Sequence, residues 1–254
     1  MTITKKALRA EHQWIQKYNS DPEYKQIVNS LFGIQSNKAE KAPNGLVSEG
    51  WKKMTSKGGK EVSKSDFILD GKYGVSFKNG PGRATSANYN ETKAIFMSVL
   101  NNDEKYKNNA ALSEKVKLFF NTWSPFENKI ITERKVTTTN IKKGVCTHPE
   151  LSKYIETSSY LDKLAKQIRD EYNDFTIDVM SECLTGKNKF SGSLQEAKFY
   201  LRCNKDNLDE IEVACWTDSN KFKEECKKYL KVFSVAMKSS SGGRPIRDHW
   251  IRFM

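Results

Sequence analysis

A carboxylate and an ammonium group converge within one short segment. Asp66 stands in the run VSKSDFIL, and Ser76 and Lys78 stand in the run YGVSFKN that follows it. Both runs are rich in strand-forming residues and are joined by Asp70-Gly71-Lys72, which predicts a β-hairpin. Because strand side chains alternate between faces, Ser76 and Lys78 share a face, and Asp66 on the paired strand reaches that same face.

This pairing suits the hydrolysis of phosphodiesters. Asp66 and the backbone carbonyl of Phe77 offer oxygen ligands, which Mg²⁺ prefers. A bound metal neutralises charge on a phosphate and lowers the pKa of water, while Lys78 would orient or deprotonate the attacking water and stabilise the developing charge. The segment therefore predicts a Mg²⁺ site at Asp66 and Phe77, with Lys78 as its cationic partner.

Residues 63 to 83 resemble the signature of the PD-(D/E)XK nuclease superfamily, which includes many restriction endonucleases and phage and repair nucleases. That signature is an Asp on one strand and an acid two residues before a Lys on the next strand. The counterparts here are Asp66 and Ser76-Phe77-Lys78. The resemblance implies a restriction-endonuclease-like core, Mg²⁺ as the cofactor and double-stranded DNA as the substrate.

Ser76 departs from the family pattern, which has an acid at this position. The resemblance implies either that another acid completes the metal site or that the site is impaired. Glu49, in a short helix expected over LVSEGWKKM, is the first candidate for a metal-binding and catalytic acid, because the family often has a Glu there. Glu91, at the start of the next expected helix, is the second.

The composition favours a polyanionic partner. Lys and Arg number 43 against 31 Asp and Glu, a formal net charge of +12 over 254 residues. Arg83 follows the hairpin in a Gly-rich stretch, and Lys238, Arg244 and Arg247 lie in a second basic stretch near the C-terminus. Gly lets the backbone approach a phosphate closely, and Arg makes paired hydrogen bonds to phosphate or guanine. We expect these four residues to contact DNA.

The pattern of elements predicts an α/β protein, in the sense of a mixed α+β sheet with helical additions. Helical periodicity predicts two helices over residues 5 to 32, broken at Asp21-Pro22. Two strand-like runs, EAKFYLRCN and EIEVACWTD, follow a mostly helical middle. We expect one nuclease-like domain over residues 1–254, with a helical N-terminal segment at 1–45 and a helical middle at 105–186.

Several classes of protein are disfavoured. Five Cys occur without a CxxC pair, which argues against a disulfide framework and a structural zinc site. There is no phosphate loop, no GxGxxG after a strand, no GxSxG elbow and no HExxH motif. No long apolar run or signal peptide occurs, so we expect no membrane partner and a cytoplasmic protein of a bacterial or phage-infected cell.

Together these features predict a Mg²⁺-dependent endonuclease that cuts double-stranded DNA at specific sequences. A two-fold homodimer would match a palindromic site. Ser76 favours an alternative, a non-catalytic DNA-binding protein on a degenerate nuclease scaffold. A third possibility is an interaction protein of a phage or mobile element that binds an acidic host protein.

Overall fold

The chain folds into two compact units of mixed α+β structure. The computed structural model describes residues 3–55, 59–80, 85–87, 89–122, 149–230, 234–239 and 246–253. The first unit comprises residues 1–84 and 179–228, and the second comprises residues 85–178 and 229–254. Asp66 and Lys78 both belong to the first unit.

The helices and strands alternate irregularly along the chain. The helices are α1 (Ile3–Ser20), α2 (Pro22–Phe32), α3 (Glu49–Thr55), α4 (Tyr89–Asn102), α5 (Glu104–Lys107), α6 (Ala110–Thr122), α7 (Pro149–Glu171), α8 (Asn173–Thr185), α9 (Lys187–Phe190) and α10 (Asn220–Leu230). The strands are β1 (Ala39–Lys41), β2 (Gly45–Leu46), β3 (Lys60–Glu61), β4 (Phe67–Leu69), β5 (Tyr73–Asn79), β6 (Thr85–Ala87), β7 (Phe199–Cys203), β8 (Ile211–Trp216), β9 (Ser234–Ser239) and β10 (Ile246–Phe253).

A five-stranded mixed sheet forms the centre of the first unit, in the order β1-β4-β5-β7-β8. Strands β1, β4 and β5 are successively antiparallel, β5 and β7 run parallel, and β8 is antiparallel to β7. The parallel pair requires a crossover, and the residues between β5 and β7 that supply it include helices α4 to α9. The predicted α+β class is confirmed, and β5 lies in the middle of the sheet.

One face of this sheet packs against α1 and α2. Ala10, Trp14 and Tyr18 recur every fourth residue, so they form one stripe along α1, and all three are buried. The Trp14 indole stacks on the Phe67 ring of β4, with 4.2 Å between ring centroids. The helical spacing seen in the sequence thus places α1 directly over the predicted hairpin.

The predicted break between the first two helices is confirmed at Asp21-Pro22. Asp21 is the N-cap of α2, and its Oδ1 accepts the N–H of Tyr24 at 3.0 Å. Pro22 occupies the first turn, where a missing N–H costs nothing. Gly33 ends the helix in the left-handed conformation, with φ of +67°.

The predicted β4–β5 hairpin is also confirmed. Asp70 and Gly71 both adopt positive φ, +48° and +63°, and the Lys72 N–H donates to the Leu69 carbonyl at 2.9 Å. This is the geometry for which Asp-Gly is favoured between strands. The Asp70 Oδ1 also accepts the N–H of Lys38 at 2.9 Å, which ties the turn to the segment before β1.

The second unit has its own sheet, in the order β6-β10-β9, and an aromatic helical core. In that core Phe96 packs against Phe119 and Phe175, with centroids 6.0 and 5.7 Å apart. Among the helices of the described ranges, none combines the length and the apolar character needed to cross a membrane.

Candidate active site

The hairpin register places Ser76 and Lys78 on one face of the sheet, and Asp66 directly precedes the paired residues of β4. Phe67 is the first paired residue of β4 and lies opposite Val75, and the Asp66 N–H also donates to the Val75 carbonyl, at 2.8 Å. Directly opposed residues share a face, and so do residues two apart on one strand. Ser76 and Lys78 therefore share a face, and this face points away from α1 because Val75 and Phe77 pack in the core beneath α1. The placement of Asp66 on the same face stays a prediction.

The two strands part immediately before Asp66, and this fixes the position of its carboxylate. The N–H groups of Lys64 and Ser65 both donate to the carbonyl of Gln195, so the chain no longer pairs with β5 there. The Asp66 Oδ2 instead accepts the N–H of Phe77 at 2.6 Å. Where β4 and β5 separate, the Asp66 carboxylate thus accepts a backbone N–H that a carbonyl of the paired strand would otherwise accept.

The side chain and the backbone N–H of Phe77 lie in two different environments. Its ring is 5% exposed and packs in the core beneath α1, while its N–H holds the Asp66 carboxylate. Coordination of a metal by the Phe77 carbonyl stays a prediction.

Burial raises the pKa of Asp66 above its ordinary value. The positive charge of Lys78, the hydrogen bond from the Phe77 N–H and the charge of Lys64 all oppose that rise. A carboxylate held in a protein interior is destabilised in its charged form unless cations lie close to it. Lys78 is the strongest of the groups that stabilise the ionised form.

A second carboxylate, that of Glu11 on α1, interacts electrostatically with Asp66 and Lys78. The pKa of Glu11 is raised to about 7, mainly by burial and in addition by the negative charge of Asp66, while the charges of Lys78 and Lys41 oppose the rise. Glu11 is thus within electrostatic range of Asp66 and Lys78, and the two acids repel each other. We call Glu11, Asp66 and Lys78 the acid-lysine cluster.

Sequence reasoning missed Glu11, although one signal pointed to it. Glu11 lies three residues before the buried Trp14, so it shares a face of α1 with a side chain that stacks on the hairpin. An acid on the core-facing side of an amphipathic helix is unusual unless it is paired or functional. The position of Trp14 over Phe67 makes this face the one directed at the sheet.

The structure does not bring Glu49 to the acid-lysine cluster. The short helix α3 forms where expected, but the Glu49 side chain is 78% exposed and pairs with Lys52. That ion pair lowers the pKa of Glu49. Glu49 precedes the buried Trp51 by two residues, about 200° around the helix, so it lies on the opposite side. Glu11, and not Glu49, lies within electrostatic range of Asp66 and Lys78.

The other predicted site residues lie elsewhere or outside the described part of the chain. Glu91 lies in the first turn of α4, which belongs to the second unit. Arg83 and Arg244 fall outside the described residues. Lys238 and Arg247 lie on β9 and β10, whose side chains are also outside the described part.

The donor set of the acid-lysine cluster fits Mg²⁺. Glu11 and Asp66 both have raised pKa values, and a positive charge near them would stabilise their ionised forms. Mg²⁺ is commonly held by one or two carboxylates together with water and substrate phosphate. Across the described residues, no group of three or more His, Cys, Asp or Glu side chains is arranged for a metal. The cluster therefore suits a cation that substrate and water help to coordinate.

Comparison with known proteins gives no functional assignment for this chain, so the functional argument rests on the geometry. No protein-family model matches the chain, and no curated protein or solved structure is significantly similar to it.

Proposed function

We propose that the chain is a Mg²⁺-dependent endonuclease of the PD-(D/E)XK type that hydrolyses double-stranded DNA at specific sequences. The observation that carries this proposal is that the Asp66 carboxylate is fixed where β4 and β5 diverge and interacts electrostatically with both Glu11 and Lys78. Glu11 supplies the second acid that Ser76 does not, so the departure from the family pattern need not abolish metal binding.

Each member of the acid-lysine cluster has a distinct part in this proposal. Asp66 and Glu11 would hold Mg²⁺, and the Phe77 N–H fixes the Asp66 carboxylate by its 2.6 Å hydrogen bond. Bound Mg²⁺ supplies positive charge that stabilises the phosphate and makes water more acidic. Lys78 orients the attacking water and stabilises negative charge that develops on the phosphate oxygens.

The charge of the chain supports a nucleic acid as the substrate. A net charge of +12 attracts a phosphate backbone at long range and concentrates it near the protein. We place the enzyme in the cytoplasm, and a two-fold homodimer would suit cleavage of a palindromic site.

The experiment is digestion of plasmid and linear phage DNA with Mg²⁺ or with EDTA. The variants Asp66→Asn and Lys78→Met are compared with Lys72→Met, which removes an exposed lysine from the far end of the same hairpin. We expect cleavage to need Mg²⁺ and to fall by about 10²- to 10³-fold in Asp66→Asn and Lys78→Met, but not in Lys72→Met. Cleavage in EDTA, or full activity of Asp66→Asn, would remove the proposal.

A non-catalytic DNA-binding protein is the second candidate, and Ser76 is the observation that favours it. Ser76 is 2% exposed and occupies the position of the usual acid, two residues before Lys78. In the same assay this candidate predicts intact DNA, and a retarded band in a gel, with and without Mg²⁺.

A further inference from the structure

A second cation lies beside Lys78 on the neighbouring strand. Arg202 of β7 is in register with Lys78 of β5, and the two strands run parallel. Aligned residues on adjacent parallel strands point to the same face, about 4.8 Å apart along the hydrogen-bonding direction. Lys78 and Arg202 therefore form a pair of adjacent positive charges on the face of the sheet that carries Ser76.

The carboxylates of Glu212 and Glu225 lie close to the Arg202 guanidinium. Its Nε lies 3.4 Å from the Glu212 Oε2, and its Nη2 lies 3.4 Å from the Oε1 of Glu225 on α10. Glu225 is almost completely buried, and its Oε1 also accepts a hydrogen bond from the Lys228 Nζ at 2.5 Å. These contacts fix the position of Arg202 next to Lys78.

The guanidinium is nevertheless incompletely satisfied. Its Nε is buried and has no hydrogen-bond partner, and neither has the buried Oε2 of Glu225. Within the described part of the chain, the Arg202 side chain donates one hydrogen bond, from Nη2 to Glu225 at 3.4 Å. A guanidinium has five N–H donors, and a well-formed pair with a carboxylate is typically about 2.7 to 2.9 Å long. The two carboxylates therefore position the Arg202 guanidinium without using all of its N–H donors, and the side chain is 15% exposed.

We propose that Arg202 binds a backbone phosphate of the DNA as a second cation beside Lys78. Glu212 and Glu225 act as positioning residues that orient its guanidinium. This inference rests on the proposed function, because it takes DNA as the substrate of the acid-lysine cluster. The competing interpretation is a structural clamp, in which Arg202 only ties β7 to α10.

Lys228→Gln is a matched control for Arg202→Gln. Both substitutions remove one positive charge from the same carboxylate, Glu225, but only Arg202 neighbours Lys78. A structural clamp predicts similar effects for the two variants. A phosphate contact predicts an effect of Arg202→Gln that Lys228→Gln does not share.

The first arm of the experiment measures DNA affinity against salt concentration in an Asp66→Asn background, where the duplex stays intact. Loss of one phosphate contact lowers the steepness of log K against log salt by about 0.9. We expect that decrease for Arg202→Gln and not for Lys228→Gln. Equal slopes in the two variants would overturn the inference, and this arm does not depend on cleavage.

The second arm measures cleavage at saturating and limiting DNA. We expect Arg202→Gln to lower kcat/KM by about 10- to 100-fold, as for a lost hydrogen bond to a charged group, and Arg202→Lys to recover part of it. If Asp66→Asn is inactive while Arg202→Gln cuts like the wild type, Arg202 has no such role and the nuclease proposal stands. If Asp66→Asn cuts like the wild type, the nuclease proposal itself fails.

Discussion

Replacing Glu11 by Gln should make the protein more stable above neutral pH. The native pKa of Glu11 is raised from 4.5 to about 7, so the folded state favours the protonated carboxyl. Below pH 4.5 the carboxyl is protonated in both folded and unfolded chains. As the pH rises from about 4.5 through 7, the unfolded chain releases the proton first, and the native state loses relative stability. Glu11→Gln removes that loss because an amide does not ionise.

The expected gain follows from the size of the shift. A change from 4.5 to about 7 corresponds to about 3 kcal/mol at ~1.36 kcal/mol per pKa unit. Glu11 is partly exposed, and solvent screening reduces this figure, so we expect about 1 to 2 kcal/mol. The gain should be full at pH 8 and should vanish below pH 4.5.

The assay is urea unfolding followed by tryptophan fluorescence at several pH values. Glu49→Gln is the control, because the Lys52 ion pair lowers the pKa of Glu49 and gives no reason for a gain at pH 8. Mg²⁺ at pH 8 should narrow the difference in the free energy of unfolding between wild type and Glu11→Gln. The reason is that a bound ligand stabilises the folded protein that binds it, here the wild type. The reasoning is refuted if Glu11→Gln is no more stable than wild type at pH 8.

Other predictions concern the scaffold that positions the hairpin. A Cβ at Gly74 would overlap the Glu196 carbonyl, so Gly74→Ala should cost about 1 to 3 kcal/mol and lower cleavage, as measured by thermal unfolding and DNA digestion. Gly50, in α3, has open space around it, and Gly50→Ala should instead stabilise by about 0.5 to 1 kcal/mol in the same melt. Asp70→Ala removes the acceptor of the Lys38 N–H and should cost about 1 kcal/mol in urea unfolding.

The hairpin was predictable because its signals are local. Asp70-Gly71 requires positive φ at both residues, and these residue types adopt it at low cost, so the turn and the register follow from neighbouring residues. Once the register is set, strand alternation places Ser76 and Lys78 on one face. The α1–α2 break followed from local capping in the same way.

The second acid was not predictable from local signals, because Glu11 is distant from Asp66 in sequence. Its proximity depends on how α1 packs across the sheet, which is set by the contact of Trp14 with Phe67. The sequence shows only that Glu11 shares a helical face with Trp14. The choice of Glu49 rested on family resemblance, and the local helix it predicted does form, but with this side chain turned to solvent.

The parallel placement of β7 beside β5 was likewise beyond local reasoning. Strand propensity identified the run that contains Arg202, but not its neighbour in the sheet. The pairing of Lys78 with Arg202 spans a crossover of many residues, and only the folded register reveals it.

The most direct test of the central claim compares the cleavage rates of Glu11→Gln and Glu49→Gln with Mg²⁺. Both substitutions neutralise one Glu on a helix of the first unit, but only Glu11 lies within range of Asp66 and Lys78. The account predicts that Glu11→Gln loses about 10²-fold or more of the cleavage rate and that Glu49→Gln cuts DNA like the wild type. Full activity of Glu11→Gln, or a selective loss in Glu49→Gln, would contradict it.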